Sequence, residues 1–229
     1  MEDLPFWMDL ADQAGDPILE LGCGTGRILG RMAAGGHISV GLDKDPKMLS
    51  YLQKELEPEA TAPVLIVADM CRFNLHQRYS LINIPCNTFS TLSETERSDC
   101  LDCVVNHLKP GGLFAFSIAN PAALSSLPAR SGIELEEEFI LPQTGNPVQV
   151  SSSWRRTRDH FRLTWYYDLL QPDGRVQRIT AQADHQMAPS QVYLDELRGS
   201  GLKLKALYGE FDHSDYLPES PYFIGVATR

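Results

Sequence analysis

Hydrophobic positions along the chain follow two rhythms. In the first, brief apolar runs alternate with helical patterns. The runs at Ile18–Leu21, Ile38–Leu42, Val64–Val67 and Leu113–Ile118 are short and rich in Val, Ile, Leu and Phe. Between them, Asp45 followed by Pro46 predicts a helix N-cap with proline at the first helical position, leading into Met48, Leu49, Leu52 and Leu56. Ser93 with Glu96 reads as a capping box ahead of Leu101, Val104, Val105 and Leu108, the i, i+3, i+4, i+7 spacing of one helix face. Lys109-Pro110-Gly111-Gly112 cannot continue that helix. Strands alternating with helices in this way predict a parallel sheet covered on both faces.

The second rhythm starts near residue 120. Phe161, Leu163, Trp165, Tyr167 and Leu169 alternate with Arg162, Thr164, Tyr166 and Asp168, the period of a half-exposed strand. Pro172-Asp173-Gly174 supplies a hairpin turn and Arg175–Ala183 the returning strand. Residues 133–187 therefore read as an antiparallel sheet set into the α/β layer. A last helix near Ser190–Gly199 precedes strands near Leu202–Tyr208 and Tyr222–Thr228, with Gly201 at a junction that suits positive φ. The expected architecture is one α/β domain over residues 1–229, a seven-stranded mostly parallel sheet with helices on both faces, carrying an inserted antiparallel sheet at 121–188 as a lid or dimer element.

Composition narrows the function classes. A length of 229 residues suits one domain with an insertion. The formal net charge of -10 argues against nucleic acid, whose phosphates need a basic face, and an acidic membrane surface would repel the chain too. Glu2 and Asp3 with no apolar stretch behind them make no secretory signal, and no run approaches the roughly 18 residues of a membrane span. Five cysteines, an odd number, fit a reducing, cytoplasmic compartment. Cys100 and Cys103 form a CxxC inside an amphipathic helix without a second Cys or His pair, so no metal site is expected.

The chemistry concentrates in Ile18–Met32, ILELGCGTGRILGRM. Glycines between a strand and a helix let backbone approach a nucleotide. A dinucleotide fingerprint, GxGxxG, would need glycine where Arg27 stands, which disfavours NAD. A phosphate loop would need GxxxxGK followed by Ser or Thr, which is absent. What remains is ExGxGxG: Glu20, Gly22, Gly24 and Gly26.

At these residues the sequence resembles class I S-adenosylmethionine-dependent methyltransferases. LELGCGTGR is similar to their first motif, VGLDKDPKML to their second, VADM to the end of their third strand and LKPGG to the turn before the fifth. The resemblance covers residues 5–120 in order and implies a Rossmann-like fold, S-adenosylmethionine as cofactor and S-adenosylhomocysteine as product. It implies that Glu20, Gly22, Cys23, Gly24 and Arg27, then Asp43, Lys44 and Met48, then Asp69 and Met70, and Ile84 with Pro85, surround the cofactor. Physical reasoning agrees at several positions. Gly22 and Gly24 remove side chains where N–H groups face the ligand. Asp43, 21 residues after Gly22, can accept both ribose hydroxyls. By the resemblance Asp69 is the adenine-amine acceptor, and Met70 offers a polarizable side chain against the ring. Glu20 either orients the glycine turn or touches the ligand. Arg27 opposes the dipole of the helix it starts and so calls for an anionic neighbour, the ligand's carboxylate or Glu20.

The acceptor belongs beyond the carboxyl ends of the parallel strands. Ile84–Leu92, Ala119–Leu124 and Gly209–Tyr216 converge there. CNTFSTL is similar to the GNSFAHL-type loop of small-amine N-methyltransferases, which places Asn87 at the acceptor, with Asn120 as a second contact. His185, Asp212 and His213 are the candidate bases, while His107 in a helix's last turn is explained by a dipole contact. The NPPY signature of base-modifying enzymes is absent, with NIPC at Asn83–Cys86, and Ser80 stands where relatives often carry an acidic residue. Only 17 residues precede Ile18, so Phe6 and Trp7 either help cover the cofactor or pack on the sheet. The inserted sheet is similar to that of amino-sugar N-methyltransferases. The reading is methyl transfer to nitrogen or oxygen of a small molecule by a monomer or homodimer, with a cofactor-binding protein lacking catalysis as the alternative.

Overall fold

A proline in the first turn and the buried stripe Phe6, Trp7, Leu10 and Ala11 form α1 (Leu4–Ala14). β1 (Ile18–Leu21), fully buried, runs into the glycine turn ahead of α2 (Leu29–Ala34). β2 (Ser39–Asp43), α3 (Pro46–Glu55) and β3 (Val64–Val67) repeat the unit. Next come β4 (Tyr79–Ile84), a short 3₁₀ turn at Thr88–Thr91, α4 (Glu94–His107), β5 (Leu108–Ala119) and α5 (Pro121–Ser126). Four strands follow: β6 (Glu134–Ile140), β7 (Pro147–Arg156), β8 (His160–Leu170) and β9 (Val176–Gln186). α6 (Ser190–Gly199), β10 (Lys203–Tyr208) and β11 (Tyr222–Thr228) complete the chain. This computed structural model describes residues 3–56 and 61–229; Glu2 lies outside them.

Two compact units emerge, one from the residues up to Ala123 together with Pro189–Arg229, the other from Leu124–Ala188. The first is built on a seven-stranded sheet of order β10-β11-β5-β4-β1-β2-β3. β1 to β5 are parallel, and β11 is antiparallel to both its neighbours. Fully buried β1 and β4 lie at its centre, as apolar runs covered on both faces must. On one side Phe6, Trp7, Leu10 and Ala11 of α1 meet Ile18, Leu81, Leu113 and Ala115. An aromatic cluster of Phe89, Phe114, Phe116, Tyr193 and Phe223 forms another part of the core. Phe6 and Trp7 are thus packing residues, wholly buried.

The expected capping devices are present. The Asp45 carboxylate accepts from the Lys47 N–H at 2.8 Å, and Ser93 and Glu96 cap one another's backbone N–H groups. Three boundaries differ. β2 starts at Ser39, leaving Ile38 exposed, because pairing with β1 begins opposite Ile18. α4 ends at His107, and Leu108 is already a strand residue opposite Tyr79, so β5 begins before the Lys-Pro-Gly-Gly segment rather than after it. β3 is an edge strand, its Val64 and Val67 exposed, since β2 pairs it on one side only.

The second unit is a four-stranded antiparallel meander, β6-β7-β8-β9. Its strands run past the expected limits, with β9 at Val176–Gln186, and the Gln171–Arg175 turn places Gly174 at φ 81°. Register puts Val148, Val150 and Trp154 on one face with Phe161, Leu163, Trp165 and Tyr167. The opposite face carries the ion pairs Arg178–Asp168 and Arg162–Asp184, each 2.6 Å. Among the described residues no helix is long and apolar enough to cross a membrane.

Candidate functional site

The glycine turn is fastened to β2 through its backbone. Gly22 and Cys23 N–H groups both donate to the Leu42 carbonyl, at 2.7 and 3.1 Å. Gly22 has φ 71°, and a Cβ there would sit 2.9 Å from Thr88 Cγ2 and 3.0 Å from Met70 Cε, so the position excludes a side chain by space as well as by conformation. Asp43 completes the turn: its Oδ2 accepts from the Gly24 N–H and its Oδ1 from the Asp45 N–H, each at 2.8 Å. Each carboxylate oxygen keeps further acceptor capacity.

Beside this turn lies a cavity of about 210 Å³. Gly22, Asp43 and Lys44 form one wall, Ala68, Asp69, Met70 and Cys71 a second, and Thr88, Thr91, Leu92 and Glu96 a third. It is smaller than the roughly 300–1,000 Å³ of sites that enclose a drug-sized ligand, so it holds part of one, such as a base with its sugar. Its ionisable lining is three carboxylates, Asp43, Asp69 and Glu96, against the single ammonium of Lys44. Asp69 Oδ1 accepts from the Cys71 N–H at 2.9 Å, which orients the carboxylate and leaves Oδ2 to accept from a ligand amine. Such a wall repels a pyrophosphate and tolerates a neutral nucleoside or a cation. A larger cavity of about 400 Å³, bordered by Gly26, Arg27, Arg31, Leu52, Glu55 and Pro63, shares only Arg27 with the expected cofactor set. These observations fit S-adenosylmethionine, which carries a cationic sulfur and no phosphate.

Glu20 and Asn83 stand opposite each other on β1 and β4, both buried. Burial pushes the Glu20 carboxyl up to about 8, against the opposing influence of the Arg27 charge and the Leu29 N–H. Its Oε2 and both amide atoms of Asn83 have no hydrogen-bond partner. The anionic neighbour that Arg27 requires is Asp3, a residue the sequence reading did not place there. Two guanidinium nitrogens reach the Asp3 carboxylate at 2.6 and 2.5 Å, and one also contacts Cys86 Sγ at 2.7 Å. Burial works to raise the Asp3 carboxyl, but the bonds and charge of Arg27 outweigh it and hold the group below its usual range. Cys23 is buried against Leu29, Leu49 and Leu52 and closes on Gly41, where a Cβ would lie 2.8 Å from its sulfur.

The structure brings Gly22, Asp43, Lys44, Asp69 and Met70 together around the cavity. Of the remaining expected cofactor residues, Gly24 lies in the turn, Met48 is exposed on α3, and Ile84 and Pro85 are buried at the end of β4. Asn87, at φ 63°, accepts at its Oδ1 from the Ala119 N–H, tying the loop after β4 to the end of β5. Asn120 is fully buried. Its Nδ2 donates to the Pro218 and Ser220 carbonyls, and its Oδ1 accepts from Ala122 N–H and Tyr216 Oη, so both donors and both acceptor positions are engaged within the protein. Asp212 caps the Ser214 N–H at 2.9 Å and is exposed. His213, at φ 68°, lies against the Phe6 and Tyr208 rings. His185 belongs to β9 of the second unit, in register with Phe161, and burial lowers its imidazole below the usual value. His107 needs no charge: its Nε2 accepts from the Leu75 N–H, so Nδ1 carries the proton and donates to the Cys103 carbonyl at 2.7 Å, which replaces the dipole explanation. Among the described residues no group of three or more His, Cys, Asp or Glu side chains is placed to hold a metal ion.

Cavity residues that sequence reasoning did not assign are Ala68, Cys71, Thr88, Thr91, Leu92 and Glu96. Three of them sit inside CNTFSTL, the loop read as an acceptor wall, and Glu96 was legible only as a cap. A signal existed in the loop's position after β4, but which of its side chains turn toward the cavity depends on the left-handed pair Cys86 and Asn87, at φ 60° and 63°.

Comparison with known proteins agrees with this geometry. Residues 18–112 match a family model described as a methyltransferase domain. A protein of Geobacillus sp. (strain WCH70) that bears a methyltransferase name is 26% identical over 107 residues, 46% of this chain and 43% of its own length; the match thus spans less than half of that relative. Among solved structures, an S-adenosylmethionine-dependent methyltransferase from Clostridium acetobutylicum superimposes with a TM-score of 0.85 at 16% identity, covering 99% of this chain and 92% of the other. The amino pentose methyltransferase CalS10 from Micromonospora echinaspora, solved with S-adenosylmethionine bound, gives a TM-score of 0.76 at 20% identity over 100% of this chain and 92% of its own.

Proposed function

We propose that the chain is a class I S-adenosylmethionine-dependent methyltransferase, as the methyltransferase-domain match over residues 18–112 and the shared fold support, and that it methylates a nitrogen or oxygen of a small-molecule acceptor. The observation that carries this reading is the cavity at the glycine turn, lined by Asp43, Asp69 and Glu96, with Lys44 the only cation among the described residues of its lining. When bound, S-adenosylmethionine supplies a methyl group activated on a positively charged sulfur. Asp43 offers its remaining acceptor positions to a ribose, Asp69 Oδ2 to an exocyclic amine, and Met70 a polarizable contact to a ring.

The chain's contribution to transfer is positional. Loops after β4, β5 and β10 all leave the carboxyl edge of the sheet, where an acceptor meets a cofactor held at the end of β1. Holding two reacting atoms about 3–3.5 Å apart is the main source of acceleration for such a displacement. An ammonium acceptor must first lose a proton, and within the first unit His213 and Asp212 are the bases proposed for it. Asn87 and Asn120 shape the acceptor side by holding the loops after β4 and β5. The fold likeness to an amino pentose methyltransferase supports amino sugars as the first acceptors to try.

Formation of S-adenosylhomocysteine with a panel of amino sugars, small amines and hydroxylated metabolites tests the reading. Turnover dependent on one acceptor class is expected. Cofactor binding with no turnover across the panel would favour a binding protein without catalysis.

A further inference from the structure

The first unit holds an electrostatic imbalance beneath the glycine turn. Glu20 is 2% exposed and Asn83 wholly buried, and neither the carboxylate Oε2 nor either amide atom of Asn83 has a partner. The cation whose charge acts on Glu20, Arg27, is already matched: its guanidinium holds Asp3 through two nitrogens and also touches Cys86. If Glu20 and Asp3 were both ionised, the trio with Arg27 would carry a net negative charge at a buried carboxylate, which is costly without a further counter-charge. Among the groups that face Glu20 are Arg27 and Asp3, with the thiols Cys23 and Cys86 nearby. Asp3 keeps the negative charge because it has the two guanidinium bonds, so Glu20 is the group that takes up a proton.

We propose that Glu20 is a proton-linked residue of the cofactor site: it is neutral in the free protein and releases its proton when the cationic cofactor binds at the glycine turn, which begins two residues beyond it. The inference rests on the cofactor reading above. S-adenosylmethionine brings a sulfonium and an α-ammonium with one carboxylate, a net positive charge that restores balance once Glu20 is ionised. The released proton goes to bulk buffer. The Asn83 amide opposite Glu20 suits either state, because its oxygen is free to accept from a protonated acid and its NH₂ to donate to a carboxylate. The burial that pushes the Glu20 carboxyl up to about 8 places the exchange in the neutral range.

Calorimetric titration of the full chain with S-adenosylmethionine at pH 7, in phosphate and in Tris, reads the proton directly, because the two buffers take up a proton with different heats. Release of close to one proton per cofactor bound is expected, with apparent affinity rising up to about tenfold per pH unit between pH 5.5 and 7.5. The cofactor's own amine, which titrates near 8, contributes equally in Glu20→Gln, so the difference between the two profiles isolates Glu20. In the variant the buffer-dependent heat falls to the amine's small share and the pH profile flattens. Binding by wild type with identical heats in both buffers overturns the proposal and leaves the cofactor reading standing. Absence of binding in either buffer overturns the cofactor reading itself. The wild-type measurement decides the matter even if Glu20→Gln does not fold.

Discussion

Replacing Asp43 by alanine removes the acceptor of two backbone N–H groups at once, Gly24 in the glycine turn and Asp45 at the cap of α3, each 2.8 Å away. Hydrogen bonds to a charged group contribute about 1.5–3 kcal/mol each. Asp43 is half-buried, so water replaces part of what is lost, and a combined cost of about 2–4 kcal/mol is expected in the free protein. For a chain of this length that corresponds to a fall in Tm of roughly 5–15 °C. Loss of the ribose acceptor adds a separate effect on ligand affinity, roughly 10- to 150-fold for one charge-assisted interaction. Denaturant unfolding without cofactor isolates the first effect, and calorimetric titration with S-adenosylmethionine below the variant's Tm reads the second. An unchanged unfolding midpoint in Asp43→Ala would refute the claim that this carboxylate organises the turn. Unchanged affinity would refute its ribose role.

Three further outcomes follow from the same geometry. Gly22→Ala should weaken cofactor binding at least tenfold, because its Cβ would meet Thr88 and Met70 at the cavity rim, whereas Gly24→Ala, with nothing within 4 Å, should show little beyond the roughly 1–2 kcal/mol of a left-handed residue; paired titration and unfolding of both variants separate space from strain. Arg97 is 2% exposed and bonded through two nitrogens to Glu196, at 2.8 and 2.7 Å, so Glu196→Ala should destabilise by about 3–5 kcal/mol in chemical denaturation by stranding a buried guanidinium. The Glu20 carboxyl is raised in the folded state from 4.5 to about 8, so the stability it contributes is full below about 4.5 and is lost as pH rises toward 8. Unfolding of cofactor-free protein at a series of pH values should therefore show wild type losing stability relative to Glu20→Gln across that window, by at most about 1.4 kcal/mol per pH unit, and parallel curves would contradict the assignment.

Much of this protein could be read directly from residue order. Apolar runs of four to six residues interrupted by Asp45-Pro46 and by Ser93 with Glu96 locate strands and helix starts, because capping and periodicity are local chemistry that acts within one or two turns. The two rhythms likewise separated the parallel sheet from the antiparallel meander. Ends of elements were less legible: Leu108 continues the helical spacing of α4 yet is taken by β5, because a partner strand some thirty residues away, at Tyr79, claims its backbone.

The site divides along the same line. The glycine turn, Asp43 and Asp69 announce themselves in sequence because backbone conformation and strand ends fix where such residues must point. Tertiary structure alone decided that Asp3 neutralises Arg27, that Asn120 gives all its hydrogen bonds to its own loops, that Thr88 and Leu92 wall the cavity beside the glycine turn, and that Glu20 and Asn83 share an unpaired polar pocket. Each of those facts depends on side chains from distant segments meeting in a buried space, where the cost of an uncompensated charge or donor is set by neighbours that no local pattern encodes.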